Sequence, residues 1–425
     1  MSENYPSPSR RAFLKTSMTL PVALAVPSSL FAQTTPIAST PANVPATPTV
    51  PAPAASDVLP KRQLGKNGPM VTMLSMGGMM SALSPDYIDI AWSMGIRYFD
   101  TADCYMGGKS EKIFGQWLAK YPERRKEIFL VSKDHPHPSP GVMGPEHLLE
   151  MIDRRLAAIG TSYLDAFYIH GIGPREYSED SLNWPKSDVF KKTAETLKSS
   201  GKVKMVGFSC HDGRLPDYLN AAAEGGFVDI IMLAYNPFYP KGGPLDTAID
   251  AAHKAGIGLV AMKTMRQVKD APKRIPDFDK LGLTVPQAVL HSAWSDSRIS
   301  AVCNMIDNTD QMAASTDAAR KYKTPLTFTQ MESLRETIMA GNRSMCTGCP
   351  SCEENAKRVD FAFQDISRFV TYYEQEGNTE ARAYYQALPV GSRNSTGVDL
   401  AALRDGCHFK TNYPAIICRA ERYFS

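Results

Sequence analysis

From Val71 onward the chain repeats one pattern: a short, nearly unbroken apolar run, then a longer stretch with apolar residues every three or four positions. The runs are Val71–Met76, Ile96–Asp100, Ile128–Lys133, Leu164–His170, Val203–Ser209, Ile230–Asn236, Gly258–Lys263 and Ile299–Asn304. Such runs predict parallel strands buried on both faces, because a half-exposed strand would alternate apolar with polar positions. Glu111–Lys120, Glu146–Ile159, Lys191–Ser199 and Asp246–Ala255 carry helical spacing, and crossovers of that length make βαβ units. Eight such units predict an α/β fold, a (β/α)8 TIM barrel over residues 61–325.

The pattern stops near Pro325. Thr329 and Glu332 predict a capping box that opens a helix from Gln330 to Ala340. Ile366, Phe369, Val370 and Tyr373 then fall at i, i+3, i+4 and i+7, so residues 326–425 are expected to form a small, mostly helical C-terminal appendage. The last fifty residues are aromatic but poorly periodic, and no element is assigned to them. At the other end, residues 33–60 hold Pro36, Pro41, Pro45, Pro48, Pro51 and Pro53 among Ala, Thr and Val, which predicts an extended linker.

Residues 1–32 read as a signal peptide: a basic region followed by the weakly apolar run Met18 to Ala32, which Pro21 and Pro27 interrupt. That run is shorter than the roughly 20 apolar residues a membrane span needs, so no stable span is expected after cleavage. Ser9-Arg10-Arg11-Ala12-Phe13-Leu14-Lys15 resembles the twin-arginine signal, which implies the twin-arginine export machinery as a partner and a periplasmic location. With 47 basic and 44 acidic residues the charge is nearly balanced, and nucleic acid is not an expected partner.

In a barrel of this type, chemistry sits where the strands end. Asp100, Lys133 and His170 end three successive strand runs, and Tyr105 follows Asp100 by one short loop. These residue types suit reduction of a carbonyl. Hydride arriving at the carbon leaves an alkoxide that needs a proton, and a free phenol, with a pKa of about 10, is a weak donor near neutrality. A neighbouring ammonium stabilises the phenolate, and making the phenol roughly a thousandfold more acidic takes about 4 kcal/mol of that stabilisation. Lys133 would supply the charge, Asp100 would hold Lys133, and His170 would donate to the carbonyl oxygen.

Gly95-Ile96-Arg97-Tyr98-Phe99-Asp100-Thr101-Ala102-Asp103-Cys104-Tyr105, followed by Ser110-Glu111, resembles the aldo/keto reductase signature. Val131-Ser132-Lys133, Tyr168-Ile169-His170, Gly201-Lys202-Val203, Val206-Gly207-Phe208-Ser209, Leu64-Gly65-Lys66 and Gly77-Gly78 match further blocks of that family, over about residues 61–320. The resemblance implies Asp100, Tyr105, Lys133 and His170 as the catalytic tetrad. It also implies a small carbonyl substrate and NAD(P)H bound across the barrel mouth without a Gly-rich Rossmann turn. Gly78 and Ser209 match the family's cofactor positions. Cys210, Met232, Met262 and Lys263 occupy such positions with other residue types: Cys210 replaces an Asn, Met232 a Gln, and Met262 the aromatic that stacks on nicotinamide. Cys303-Asn304-Met305-Ile306-Asp307-Asn308-Thr309-Asp310 carries two acids and no base where the family has a Lys or Arg for the adenosine 2′-phosphate. Two carboxylates there would repel that phosphate.

Three further features invite chemistry. His135 and His137 could form a metal pair, but no carboxylate or thiol partner is identifiable in the sequence, and a place in the substrate pocket is the plainer expectation. Cys210-His211 could be a reactive thiol pair, although Cys104, Cys210 and Cys303 are expected to be buried strand residues rather than ligands. Cys346, Cys349 and Cys352 form a C-x2-C-x2-C run that points three thiolates at one centre, as an iron–sulfur cluster requires. Cys407 or Cys418 could be a fourth ligand of a [4Fe-4S] cluster. Zinc and disulfides remain alternatives, and the run resembles the ferredoxin-like appendage of one aldo/keto reductase subgroup. Three functions follow: a carbonyl reductase, with an electron-transfer partner for the cluster; a non-catalytic redox relay on the same scaffold; and a lyase or isomerase using Lys133 or Lys263 to form an imine.

Overall fold

The computed structural model describes residues 57–139, 141–174, 176–268, 275–341, 346, 361–376, 378–407 and 411–424. The segment read as a signal peptide, nearly all of the expected linker, and Cys349 and Cys352 lie outside them.

Eight parallel strands close a barrel: β3 (Leu74–Gly77), β4 (Tyr98–Asp100), β5 (Phe129–Asp134), β6 (Leu164–Ile169), β7 (Val203–Cys210), β8 (Ile230–Ala234), β9 (Gly258–Met262) and β10 (Ile299–Asn304), with β10 pairing back to β3. A hairpin precedes them, β1 (Lys61–Gln63) antiparallel to β2 (Met70–Thr72). The intervening helices are α1 (Pro85–Ser93), α2 (Lys109–Lys120), α3 (Leu148–Ile159), α4 (Asp188–Ser199), α5 (Leu215–Gly225), α6 (Pro244–Lys254), α7 (Pro276–Asp279), α8 (Val285–Trp294) and α9 (Thr309–Lys321).

The strands divide their side chains between two cores. Tyr98, Phe129, Val131, Ala166, Tyr168, Met205, Ile230, Met232, Val260 and Ala301 fill the bore, while Phe99, Leu130, Phe167, Phe208, Ile231 and Leu259 pack in the larger cluster with the helices. Leu64 and Val71, from the hairpin, join the bore cluster. Arg62 fixes the hairpin by donating to the carbonyls of Trp294, Asp296 and Ile299, just before and at the start of β10. The hairpin therefore plugs the end of the barrel opposite the strand C-termini. Its presence divides the predicted strand Val71–Met76 at Met73, whose N–H donates to Pro60 O; the residues before it pair in the hairpin and those after it in the barrel.

The appendage is helical, as expected: α10 (Phe328–Gly341), α11 (Phe363–Glu376), α12 (Ala381–Ala387), α13 (Val390–Arg393), α14 (Leu400–Gly406) and α15 (Tyr413–Phe424). The capping box is shifted by two residues. Thr327 Oγ1 accepts from the Gln330 N–H and Gln330 Oε1 accepts from the Thr327 N–H, whereas Glu332 pairs with Arg335. On α11, Ile366, Phe369 and Val370 are buried as the spacing predicts, while Tyr373 is exposed and lies against Tyr423 and Phe424 of α15. No helix among the described residues is long and apolar enough to cross a membrane.

Candidate active site

The site is built by the β4–β5–β6 register. Hydrogen bonding continues past the strand ends, from Thr101 N–H to Val131 O, Asp103 N–H to Lys133 O and His170 N–H to Asp134 O. The continuation brings Asp100, Tyr105, Lys133 and His170 to one end of the barrel. Lys133 Nζ donates to Asp100 Oδ2 at 2.6 Å, to Thr101 O at 2.9 Å and to Tyr105 Oη at 3.1 Å, so all three ammonium protons have acceptors. The Tyr105 and His170 rings lie edge to face, with centroids 5.5 Å apart. Tyr177 Oη donates to His170 O at 2.6 Å and steadies the backbone there.

Lys133 and Asp100 are only 1% and 2% exposed, a charged pair held inside the protein. Burial pushes the Asp100 carboxyl up, and Lys133 pulls it back. For Lys133, burial opposes the charge, but Asp100 and Tyr105 outweigh it and hold the ammonium above the ordinary lysine range. Tyr105 departs from the lowered pKa expected of it. Burial pushes its phenol above its ordinary value, against the pull of Lys133, and the Asp100 charge pushes the same way as burial. The resting phenol is therefore protonated. His170 is driven down to about 3 by burial, with the charges of His135 and Lys133 adding to it and its hydrogen bond to the Asp103 carboxylate opposing it. At neutral pH it is a neutral imidazole.

The cofactor candidates separate into two groups. Ser209 Oγ accepts from the Gly171 N–H at 2.9 Å, which ties β7 to the loop after His170 and leaves the hydroxyl proton for a ligand. Met262 is half-buried at the end of β9. Lys263 follows it with a left-handed backbone, φ 62°. Met232, only 2% exposed, packs in the bore, and Cys210 lies in the outer cluster with Val206 and Phe208. Strand alternation turns the two side chains to opposite faces, Met232 into the bore and Cys210 toward the helices. The reactive-pair reading of Cys210 fails, because burial pushes its thiol up and His211 Nδ1 faces Arg368 Nη1 of α11 at 3.0 Å. That contact brings the appendage to the end of β7. Cys407 is buried within the appendage with its Sγ against Thr411, and the Cys346 N–H donates to Ser367 Oγ.

Gly78 serves packing. A Cβ there would stand 2.7 Å from both Asp100 O and Ser110 Oγ, and Ser110 Oγ donates to Gly78 O and bonds Thr101 Oγ1. Gly78→Ala is therefore expected to lower the unfolding free energy by about 1–3 kcal/mol in chemical denaturation. Unchanged stability would show that this strand end gives way freely.

Behind β5, Glu111 accepts from Ser132 Oγ at 2.6 Å and pairs with Arg155 at 3.2 Å. Burial, partly offset by these two partners, raises its pKa from 4.5 to about 7. Between those values the folded protein holds a proton that the unfolded chain has lost, so stability falls as pH rises through this window. The drop is at most about 3 kcal/mol. Glu111→Gln is expected to flatten that part of the stability–pH curve; an identical curve would rule out Glu111 as its source.

Several groups at the mouth carry weak signals in the sequence or none. Asn236 Nδ2 and Thr264 Oγ1, each two residues past its strand, are buried without a hydrogen-bond partner among the described residues. Met106 and Lys263 are the non-glycine residues with positive φ among those described; one follows Tyr105 and the other follows β9. Local strain of this kind gathers at functional sites. Asp103, Cys104 and His135 each bring a ligand atom within 4.8 Å of one on His170. Strand-end position could have flagged Asn236, but nothing in linear spacing joins Asp103 to His135.

The aldo/keto reductase family model matches residues 75–280. Among curated relatives, an aldo-keto reductase of Strobilurus tenacellus, str7, is 27% identical over 220 residues, covering 48% of this chain and 60% of that protein. The uncharacterized oxidoreductase YrpG of Bacillus subtilis is 28% identical over 217 residues, 47% of this chain and 64% of its own. The chain thus spans about three-fifths of the length of these relatives. Of solved structures, the holo form of aldo-keto reductase AKR11C1 from Bacillus halodurans superposes with a TM-score of 0.51 at 20% identity, covering 66% of this chain and 96% of that one, a likeness of fold alone. The sequence match over residues 75–280 and the closed eight-stranded order make the barrel of this chain similar to those of the aldo/keto reductases, a family of oxidoreductases.

Proposed function

We propose that this protein reduces an aldehyde or ketone, sugar-like carbonyls included, by hydride transfer from a nicotinamide dinucleotide, with Tyr105 as the proton donor. The observation that carries the reading is the convergence of a protonated phenol, a buried ammonium 3.1 Å from its oxygen, and a neutral imidazole beside it.

The mouth suits such a cofactor, because Asn236 Nδ2 and Thr264 Oγ1, without a partner among the described residues, and the donor-capable Ser209 are groups a polar ligand would satisfy. These residues, with Met262 and Lys263, would hold the dinucleotide, which supplies the hydride when bound. His170 would orient the carbonyl through a ring N–H. As the carbon becomes tetrahedral, Tyr105 Oη gives its proton to the carbonyl oxygen, and the phenolate that remains is stabilised by Lys133 until solvent restores the proton. Asp100 positions the ammonium and touches neither reactant.

Asp307 and Asp310 are exposed where β10 meets α9, and Asp310 lies in the first turn of that helix. The helix terminus that would attract a 2′-phosphate already carries acidic charge, which favours NADH over NADPH. Titration of the purified protein with each reduced cofactor, then turnover of simple aldehydes, tests both parts. Tighter binding of NADH with turnover supports the proposal. Absence of binding and turnover with both would favour a redox or binding module on this scaffold. We further infer that the chain is exported, and that Cys346, Cys349, Cys352 and Cys407 hold a [4Fe-4S] cluster. Iron and acid-labile sulfide in anaerobically purified protein would support the cluster, and their absence would end it.

A further inference from the structure

Beside the tetrad lies a second constellation that carbonyl reduction does not require. Asp103 and Cys104 come from the loop after β4, His135 follows β5, and His170 follows β6. One ligand atom from each lies within 4.8 Å of every other. His170 Nδ1 is 3.4 Å from Asp103 Oδ1 and 3.7 Å from Cys104 Sγ, and His135 Nδ1 is 3.3 Å from Asp103 Oδ2. The His135 and His170 rings face each other at 4.6 Å.

The separations of His170 Nδ1 from Asp103 Oδ1 and from Cys104 Sγ match edges of a coordination tetrahedron, and the remaining donors lie within 4.8 Å. Bonds of about 2.0–2.3 Å at tetrahedral angles set neighbouring ligand atoms about 3.3–3.7 Å apart. Two imidazoles, one thiolate and one carboxylate form a borderline-soft donor set that suits zinc and its spectroscopic substitute cobalt rather than magnesium or calcium. The Asp103 and His170 N–H groups continue the ladder onto Lys133 O and Asp134 O, so these two donors are fixed by the strand ends, with Cys104 and His135 one residue beyond Asp103 and Asp134. His137, the other half of the pair suggested by the sequence, is not in the group.

We propose that Asp103, Cys104, His135 and His170 form a tetrahedral site for one zinc-class divalent metal ion at the barrel mouth. Binding forms four coordinate bonds, and the Cys104 thiol releases its proton to solvent. The metal takes Nδ1 of His170, which places that ring's proton on Nε2 and leaves Nε2 as the nitrogen able to serve a carbonyl. The ion is thus a positioning element for the imidazole as well as a ligand-bound structural centre. This site is independent of the cysteines in the appendage and does not depend on which carbonyl is reduced.

Cobalt(II) titration of the full chain, stripped of metal by chelator, tests the proposal. Cys346, Cys349 and Cys352 are first replaced by Ser, so that any thiolate signal arises elsewhere. The expected result is saturation at one equivalent, with intense visible d–d bands of a four-coordinate ion and a near-ultraviolet thiolate-to-cobalt band, both removed by excess zinc. Cys104→Ser should abolish the thiolate band while retaining weaker binding, and His135→Ala should weaken binding at least about tenfold. Should Cys104→Ser fail to fold, X-ray absorption at the zinc edge of the starting protein gives the same answer, through one sulfur and three nitrogen or oxygen neighbours. No saturable binding, a thiolate band that survives Cys104→Ser, or a zinc shell without sulfur would each overturn the proposal.

Discussion

Tyr105→Phe is expected to lower kcat for carbonyl reduction by about 10²–10⁴-fold with little change in KM. The substitution removes only the hydroxyl, and with it the proton that in the proposed reaction balances the developing alkoxide. In barrier terms the loss is about 3–5 kcal/mol. Lys133 keeps its bonds to Asp100 Oδ2 and Thr101 O, so stability should fall by no more than about 1 kcal/mol. Steady-state kinetics on a simple aldehyde, beside a denaturation curve, checks both halves. Undiminished kcat would remove Tyr105 from the reaction.

Lys133→Met has the larger combined effect, because this lysine is both electrostatic partner and structural pair. Its loss leaves the Asp100 carboxylate buried without a counter-charge, and Asp100 Oδ1 already lacks a hydrogen-bond partner among the described residues. A cost of about 3–5 kcal/mol in unfolding free energy is expected, together with near-complete loss of turnover. A second substitution separates the two roles. Asp100→Asn combined with Lys133→Met removes the stranded charge and should recover most of the stability while leaving activity absent. Recovery of both would mean that Lys133 acts only through folding; recovery of neither would mean that the pair is not the source of the loss.

The fold is readable wherever burial makes the pattern simple. β5 to β10 are covered by apolar runs because both faces of each strand are enclosed, by the bore on one side and by helices on the other. The pattern misleads where partners change along the chain. Val71 and Thr72 look continuous with Leu74–Gly77 but pair with a hairpin that has no strong sequence signal of its own. Helices begin earlier than their apolar spacing suggests for a local reason: Ser187 caps α4 and Thr327 caps α10, each ahead of the first periodic apolar residue.

At the site, the tetrad is legible because its members sit at strand ends, where a barrel gathers polar groups. Their electrostatic balance is not, since the protonated resting state of Tyr105 depends on how deeply the hydroxyl is buried and on how fully Asp100 already occupies Lys133. Cys210 and Met232 show the limit of matching by position. A motif gives a residue's place along the strand, while the direction of its side chain, bore for Met232 and helix side for Cys210, comes from strand alternation. Asp103, Cys104, His135 and His170 show the converse. They come from three separate segments of the chain, and only the parallel register of β4, β5 and β6 makes them one cluster.

Transfer of deuterium from the C4 position of reduced nicotinamide to an aldehyde tests the central claim most directly. The purified protein is incubated with each C4-deuterated epimer of NADH and NADPH and an aldehyde, and the alcohol is analysed by mass spectrometry and NMR. Deuterium at the carbinol carbon from one epimer only, lost in Tyr105→Phe, is the expected result. An alcohol without that deuterium, or no alcohol from either cofactor while the folded protein is present, would contradict hydride transfer at this barrel mouth.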